Sequence, residues 1–280
     1  MTTIKLTTTL YSSLILAALN MALASSVSQA AALAAHRAFY DFKIARNDRN
    51  SGYEDATGRL AYEVTGSACE GWSVNYRFAS RYIQSEGNVR LTDSQLTSWE
   101  SGDSTELRLN QKYYVDNALS NESKIVANRK NANGPVSGQL TIPNIKEFTL
   151  SADTVFPMMY QTKLLSEAEK GKVRNTEQVF EGTDGENAYR VITIIGKHKP
   201  TAALSVDASK PESVLKGLMA WPMSTSYFPQ VDDQNTQPLY QSHYTMYANG
   251  VTSDLLFDYG TYTLKGALVK LELINSTPCN

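Results

Sequence analysis

The chain has 280 residues, with 26 Lys plus Arg against 28 Asp plus Glu and a formal net charge of −2. Basic residues are interleaved with acids throughout, so the electropositive footprint of a nucleic-acid binder is absent. The length suffices for a substantial core, and no proline- or serine-rich linker divides the chain, which predicts a single domain over residues 31–280.

Residues 1–30 read as an export signal. Lys5 supplies the positive start, Leu10 to Ala24 is apolar, and Ser28-Gln29-Ala30 places small residues for cleavage after Ala30, with Ala24 as a second position. Ser12, Ser13 and Asn20 interrupt the apolar stretch, which speaks against a membrane anchor, and no later segment is apolar enough to span a bilayer. The mature protein is expected to be exported and soluble. Losing Lys5 with the signal takes the net charge from −2 to −3.

The segment 36–45 alternates, with Ala38, Tyr40, Phe42 and Ile44 on one side, the period of a half-buried strand. Leu60, Tyr62 and Val64 repeat the pattern, and after the Gly66–Gly71 bend so do Trp72, Val74, Tyr76 and Phe78. Leu107 with Leu109, and Leu140 with Ile142, mark further strands, while Asn131–Gly138 reads as a loop. Phe156, Tyr160, Leu164 and Ala168 then recur every four residues. With Asp153 as a cap, Pro157 in the first turn and Gly171 as the stop, this predicts an amphipathic helix over 157–170. A shorter helical stretch is expected after Pro211. Asn249-Gly250 between Tyr240–Tyr247 and Val251–Tyr259 is a hairpin signal, and Tyr262–Leu273 forms a last strand. Short strands at this spacing indicate an all-β, mainly antiparallel barrel or sandwich.

The two cysteines, Cys69 and Cys279, are an even count in an exported chain and most simply form one disulfide; a redox pair or an intermolecular bridge are the alternatives. Within one chain the bond would close a loop of 279 − 69 = 210 residues, worth roughly 5 kcal/mol at most.

Catalytic signals are sparse. His36, His198 and His243 are scattered without ligand spacing, so no metal or other cofactor is expected. Ser213-Val214-Leu215-Lys216 matches an SxxK tetrad but lacks its companion motifs, and there is no GxSxG elbow. Acids are numerous, yet no pair is singled out for glycoside hydrolysis. Tyr240, Tyr244, Tyr247, Tyr259 and Tyr262 cluster on the hairpin and beyond it, as lining of a carbohydrate or acyl-chain site or as ordinary wall and core.

Cys69-Glu70-Gly71-Trp72, Asp153-Thr154-Val155-Phe156-Pro157, Asn249-Gly250-Val251, Asp258-Tyr259-Gly260 and Cys279 together resemble the EipB-like cell-envelope integrity proteins, periplasmic proteins of alphaproteobacteria. The resemblance spans about residues 36–279 and departs after Pro157, where Met158-Met159 stand in place of a threonine. It implies an architecture like that of the LolA/LolB lipoprotein carriers: an open spiral β-barrel with a helix in its concave face and one disulfide. It also implies a periplasmic, non-enzymatic role in envelope integrity, with a lipid, lipoprotein or peptide as ligand and a tetratricopeptide-repeat protein as partner. The runner-up is a periplasmic hydrolase acting on an envelope polymer or lipid.

The candidate binding residues are Asp153, Thr154, Val155, Phe156, Pro157, Met158, Tyr160 and Leu164. The helix is expected either to plug the barrel as core or to lie against an open cavity with its N-terminus at the rim, where unpaired amides and the helix dipole favour an anionic head group.

Overall fold

The computed structural model describes residues 33–131, 133–183, 185–200, 210–230 and 237–275; the expected export signal at 1–30 and Cys279 lie outside them. The strands in chain order begin with β1 (His36–Asn47), β2 (Tyr53–Ser67), β3 (Gly71–Gln84), β4 (Val89–Glu100) and β5 (Glu106–Val115). They continue with β6 (Ala118–Asn128), β7 (Val136–Ile142), β8 (Lys146–Leu150), β9 (Thr154–Val155), β10 (Arg174–Val179) and β11 (Tyr189–Ile195). The last are β12 (Lys199–Pro200), β13 (Met219–Pro229), β14 (Tyr240–Tyr247), β15 (Thr252–Asp258) and β16 (Tyr262–Leu273). One α-helix, α1 (Pro157–Glu169), lies between β9 and β10.

Hydrogen-bonded neighbours run β8-β7-β6-β5-β4-β3-β2-β1-β16-β15-β14-β13-β11-β10-β9, with β12 beside β13. This is the chain order wrapped into a ring. The first and last strands pair, and the ring is interrupted between β8 and β9, which are joined in sequence by Ser151, Ala152 and Asp153. The pairings are antiparallel except for β9 with β10. A parallel pair requires a crossover, and α1 is that crossover.

Side chains stitch the interrupted seam where backbone bonds do not. Buried Arg129, which follows β6, donates from Nη1 to the Thr154 carbonyl of β9 at 2.7 Å. Its Nε and Nη2 hold the Ser104 carbonyl and hydroxyl in the β4–β5 turn at 2.7 and 2.8 Å. Phe148 of β8 packs on Phe180 beyond β10, with centroids 5.3 Å apart, and Lys146 pairs with Glu186.

The inner face is legible along β3. Trp72 belongs to the cluster around α1, Val74 and Tyr76 line open space, and Phe78 belongs to a second interior cluster with Phe42, Leu60 and Leu264. Curling the sheet this tightly uses glycine opposite aromatic rings: a Cβ at Gly266 would meet Phe42 at 2.4 Å, and one at Gly138 would meet Phe148 at 2.0 Å. The outer face carries ion pairs such as Arg59–Asp41 and Arg77–Asp93, exposed and worth about 0–1 kcal/mol each.

Helix α1 packs inside the barrel. Tyr160, Leu164, Leu165 and Ala168 pack against Val64, Trp72, Val191, Ile195, Trp221 and Met246, so the helix touches both walls. A buried chain of hydroxyls fixes it to β11, β13 and β14: Tyr160 to Thr193 at 2.6 Å, Thr193 to Thr225 at 2.8 Å and Thr225 to Tyr244 at 3.1 Å. It ends in a Schellman motif, with Gly171 at φ 73° and the Lys172 amide donating to the Glu167 carbonyl at 3.0 Å.

Three local expectations are corrected. Asp153 does not cap the helix; it is exposed, and the N-cap residue is Phe156, which makes no side-chain cap bond. The cap is Glu100, whose two carboxylate oxygens accept from the Met158 and Met159 amides at 2.7 and 3.0 Å. The loop expected over Asn131–Gly138 stops at Pro135, because Val136 is fully buried and starts β7. The stretch after Pro211 is a single 3-10 turn, Pro211–Leu215, ended by Gly217 at φ 90° before β13 begins.

Glu100→Ala should leave two helix amides unpaired and buried beside the Arg129 guanidinium, lowering unfolding free energy by about 3–5 kcal/mol in a denaturant titration. Glu100→Gln, which keeps one acceptor oxygen, should cost less.

Candidate ligand-binding site

A cavity of about 460 Å³ remains beside the first turn of α1. Such a volume suits one small molecule or one short acyl chain with its head. Larger depressions of about 700 and 520 Å³ lie on the outer sheet face among paired charges such as Asp41, Arg59, Arg77 and Asp93. The interior cavity is the better candidate, since it is the one enclosed by apolar and aromatic walls.

Besides two carboxyls, three kinds of residue form its wall. Val74, Leu96, Leu107, Leu109 and Met158 are apolar; Tyr62, Tyr76, Tyr227, Tyr240, Phe257 and Tyr259 give aromatic surface; Ser94, Ser98, Gln111 and Gln161 are neutral and polar. The tyrosines form a continuous run: Tyr227 stacks on Tyr240 at 4.3 Å and 12°, Tyr240 on Tyr259 at 6.3 Å, and Tyr259 on Tyr262 at 5.0 Å. Burial raises the phenol pKa values of Tyr62, Tyr76, Tyr227 and Tyr240, so these rings stay neutral.

Two carboxyls face the cavity, Glu100 and Glu181, and among the described residues lining it there is no Lys, Arg or His. Burial pushes both up to about 7. For Glu100 the Met158 and Met159 amides, Ser104 and Arg129 pull the other way. Glu181 has no such counterweight, and no hydrogen bond or ion pair to it is formed among the described residues. It is placed by Phe180, whose amide donates to the Val155 carbonyl at 2.9 Å, and by Gly182 at φ 67°, where a Cβ would meet Leu109 and Ile125 at 3.2 and 3.3 Å.

The residues singled out from sequence are dispersed by the fold. Pro157 and Met158 line the cavity. Thr154, Val155 and Phe156 are buried core, and Phe156 packs with Phe180, Leu107 and Ile125 under the Arg129 guanidinium, 4.7 Å from its ring. Tyr160 and Leu164 face the wall that α1 packs against, and Asp153 is exposed. Of the hairpin tyrosines, Tyr240 and Tyr259 reach the cavity. Tyr244 ends the hydroxyl chain, and Tyr247 packs with Leu215, Ala220 and Val251. The helix amides expected to be unpaired and open to an anionic head group are not: those of Met158 and Met159 donate to Glu100. Sequence reasoning missed Glu100 and Glu181, since nothing local distinguishes them from the other acids.

The EipB-like family model matches residues 27–275. The chain belongs to the EipB-like family. It is 34% identical over 263 residues to the cell envelope integrity protein EipB of Brucella abortus (strain 2308), covering 92% of this chain and 91% of that one. The fold is also similar to the crystal structure of a β-barrel-like protein of a domain of unknown function from Brucella abortus, at a TM-score of 0.80 and 32% identity, over 87% of this chain and 99% of that one. Among the described residues of this EipB-like protein, no helix is long and apolar enough to cross a membrane.

Glu181 gives a pH signature. Its folded pKa of about 7 lies above the ordinary 4.5, so between these values the folded state holds a proton that the unfolded state has released. Its contribution to stability is therefore full below about pH 4.5 and is lost as pH rises through 7. Glu181→Gln should match the parent at pH 4.5 and exceed it at pH 8 by on the order of 1–3 kcal/mol, read as a raised Tm.

Proposed function

We propose that this EipB-like protein works in the periplasm as a non-enzymatic binding protein that supports envelope integrity, holding an amphiphilic ligand in the cavity beside α1. The observation that carries the reading is the partly filled interior: beside α1 the barrel keeps about 460 Å³ lined by tyrosines and aliphatic side chains. A core evolved for stability alone would close such a space, since unfilled volume costs free energy. The name of the relative from Brucella abortus supports the envelope role.

The hydrolase alternative needs two working carboxyls or an activated nucleophile. Glu100 is held by two helix amides, which leaves Glu181 without a second free carboxyl beside it. This favours binding over turnover. A tetratricopeptide-repeat partner would act on the outside of the barrel.

Export through an N-terminal signal also supports a Cys69–Cys279 disulfide that clasps the C-terminus to the turn between β2 and β3. Non-reducing peptide mapping should recover the two cysteines in one linked peptide; two free thiols, or a link between chains, would contradict it.

The cavity itself is tested in cells. A deletion strain should become sensitive to detergents and be rescued by the parent gene. A Ser98→Phe variant, which places a ring in the space beside Glu100 and Leu96, should fold but fail to rescue. Full rescue by a stably folded Ser98→Phe protein would overturn the role of the cavity.

A further inference from the structure

The cavity has a chemical polarity that its volume alone does not reveal. Its titratable groups are carboxyls and phenols, and among the described residues lining it there is no basic side chain. Glu181 is the one carboxyl there without a donor, and the phenols of Tyr76, Tyr160, Tyr227 and Tyr240 each feel its charge. Gln111, also in the wall, buries an Oε1 that accepts no hydrogen bond among the described residues. A buried acceptor left unpaired costs free energy that a ligand can restore. Aromatic faces beside a carboxylate attract organic cations, through the ring quadrupole and through direct charge.

We propose that the cavity selects an amphiphile with a cationic ammonium head, Glu181 and the Tyr76, Tyr227 and Tyr240 rings receiving the head and Leu96, Leu107 and Leu109 receiving the tail. The inference rests on the cavity being a binding chamber and adds the sign of the ligand. An anionic amphiphile is disfavoured on the same grounds: it would meet Glu181, whose charge has no compensating cation in the wall.

Affinity for a fixed cation then depends on pH. The titratable groups that feel the charge of Glu181 are the phenols of Tyr76, Tyr160, Tyr227 and Tyr240, which stay protonated, and the other carboxyl in the cavity wall is Glu100, which the α1 amides hold. A cation binds the ionised Glu181, so affinity should rise between pH 5.5 and 8.

Isothermal titration calorimetry of the full mature protein with four probes tests this: decyltrimethylammonium and decyl sulfate below their micelle concentrations, 1-decanol below its solubility limit, and tetramethylammonium. The quaternary head does not titrate, so any pH dependence belongs to the protein. At pH 8 decyltrimethylammonium should bind at least about tenfold more tightly than 1-decanol, a difference of about 1.4 kcal/mol. Decyl sulfate should not bind in the cavity, and tetramethylammonium should bind far more weakly than its decyl form; equal affinity would overturn the amphiphile in favour of a free amine. In Glu181→Gln, folded by circular dichroism, the preference for the cation should collapse while 1-decanol binding persists. Equal binding of cation and alcohol by the parent, or an unchanged preference in Glu181→Gln, would overturn the cationic head while leaving the chamber intact. Binding of none of the probes would overturn both.

Discussion

The carboxylate of Glu100 is the contact on which the interior depends. It reaches from the end of β4 to the first two free amides of α1, satisfying donors that would otherwise be buried without partners. It ties the first turn of the helix to the end of β4. Arg129 sits behind it, joining the β4–β5 turn to β9 across the interruption in the sheet. Desolvation works against an ionised Glu100, and the amides, Ser104 and Arg129 oppose that cost. The clasp is therefore a network in which each member is needed to keep the others satisfied.

From this follows an asymmetric barrel. On one side of the cavity the helix interdigitates with Trp72, Trp221 and Met246; on the other, Phe42, Leu60 and Phe78 form a floor. Between them the wall residues are tyrosines, serines and an unpaired carboxyl, which neither fill the space nor seal it. The sheet remains open between β8 and β9, yet the Phe148–Phe180 contact and the Arg129 bond hold that seam.

Where the chain packs an apolar core, the architecture was readable. The strand Tyr262–Leu273 was found at its observed ends, and Pro157 and Gly171 bounded α1 to within one residue. The inner series Trp72, Val74, Tyr76 and Phe78 declared itself by alternation. Strand β4 escaped because its inner positions are Ser94, Leu96, Ser98 and Glu100: it lines the cavity, so the hydrophobic period is missing where the candidate site lies. The helix cap escaped for a different reason. Glu100 is 58 residues from Met158, and capping rules look only three or four residues ahead. The apolar stripe makes Phe156 a candidate for the pocket as much as for the core, and preceding Pro157 it packs toward Phe180 and β5–β7 and not into the open space.

The central claim is that the space beside α1 is a chamber for one molecule and not a packing defect. Native mass spectrometry of the protein isolated from its own cells tests it most directly. The account predicts a population carrying a single small adduct that vanishes on mild activation and is absent from the Ser98→Phe protein. An adduct-free mass for both proteins, or the same adduct on both, would contradict it.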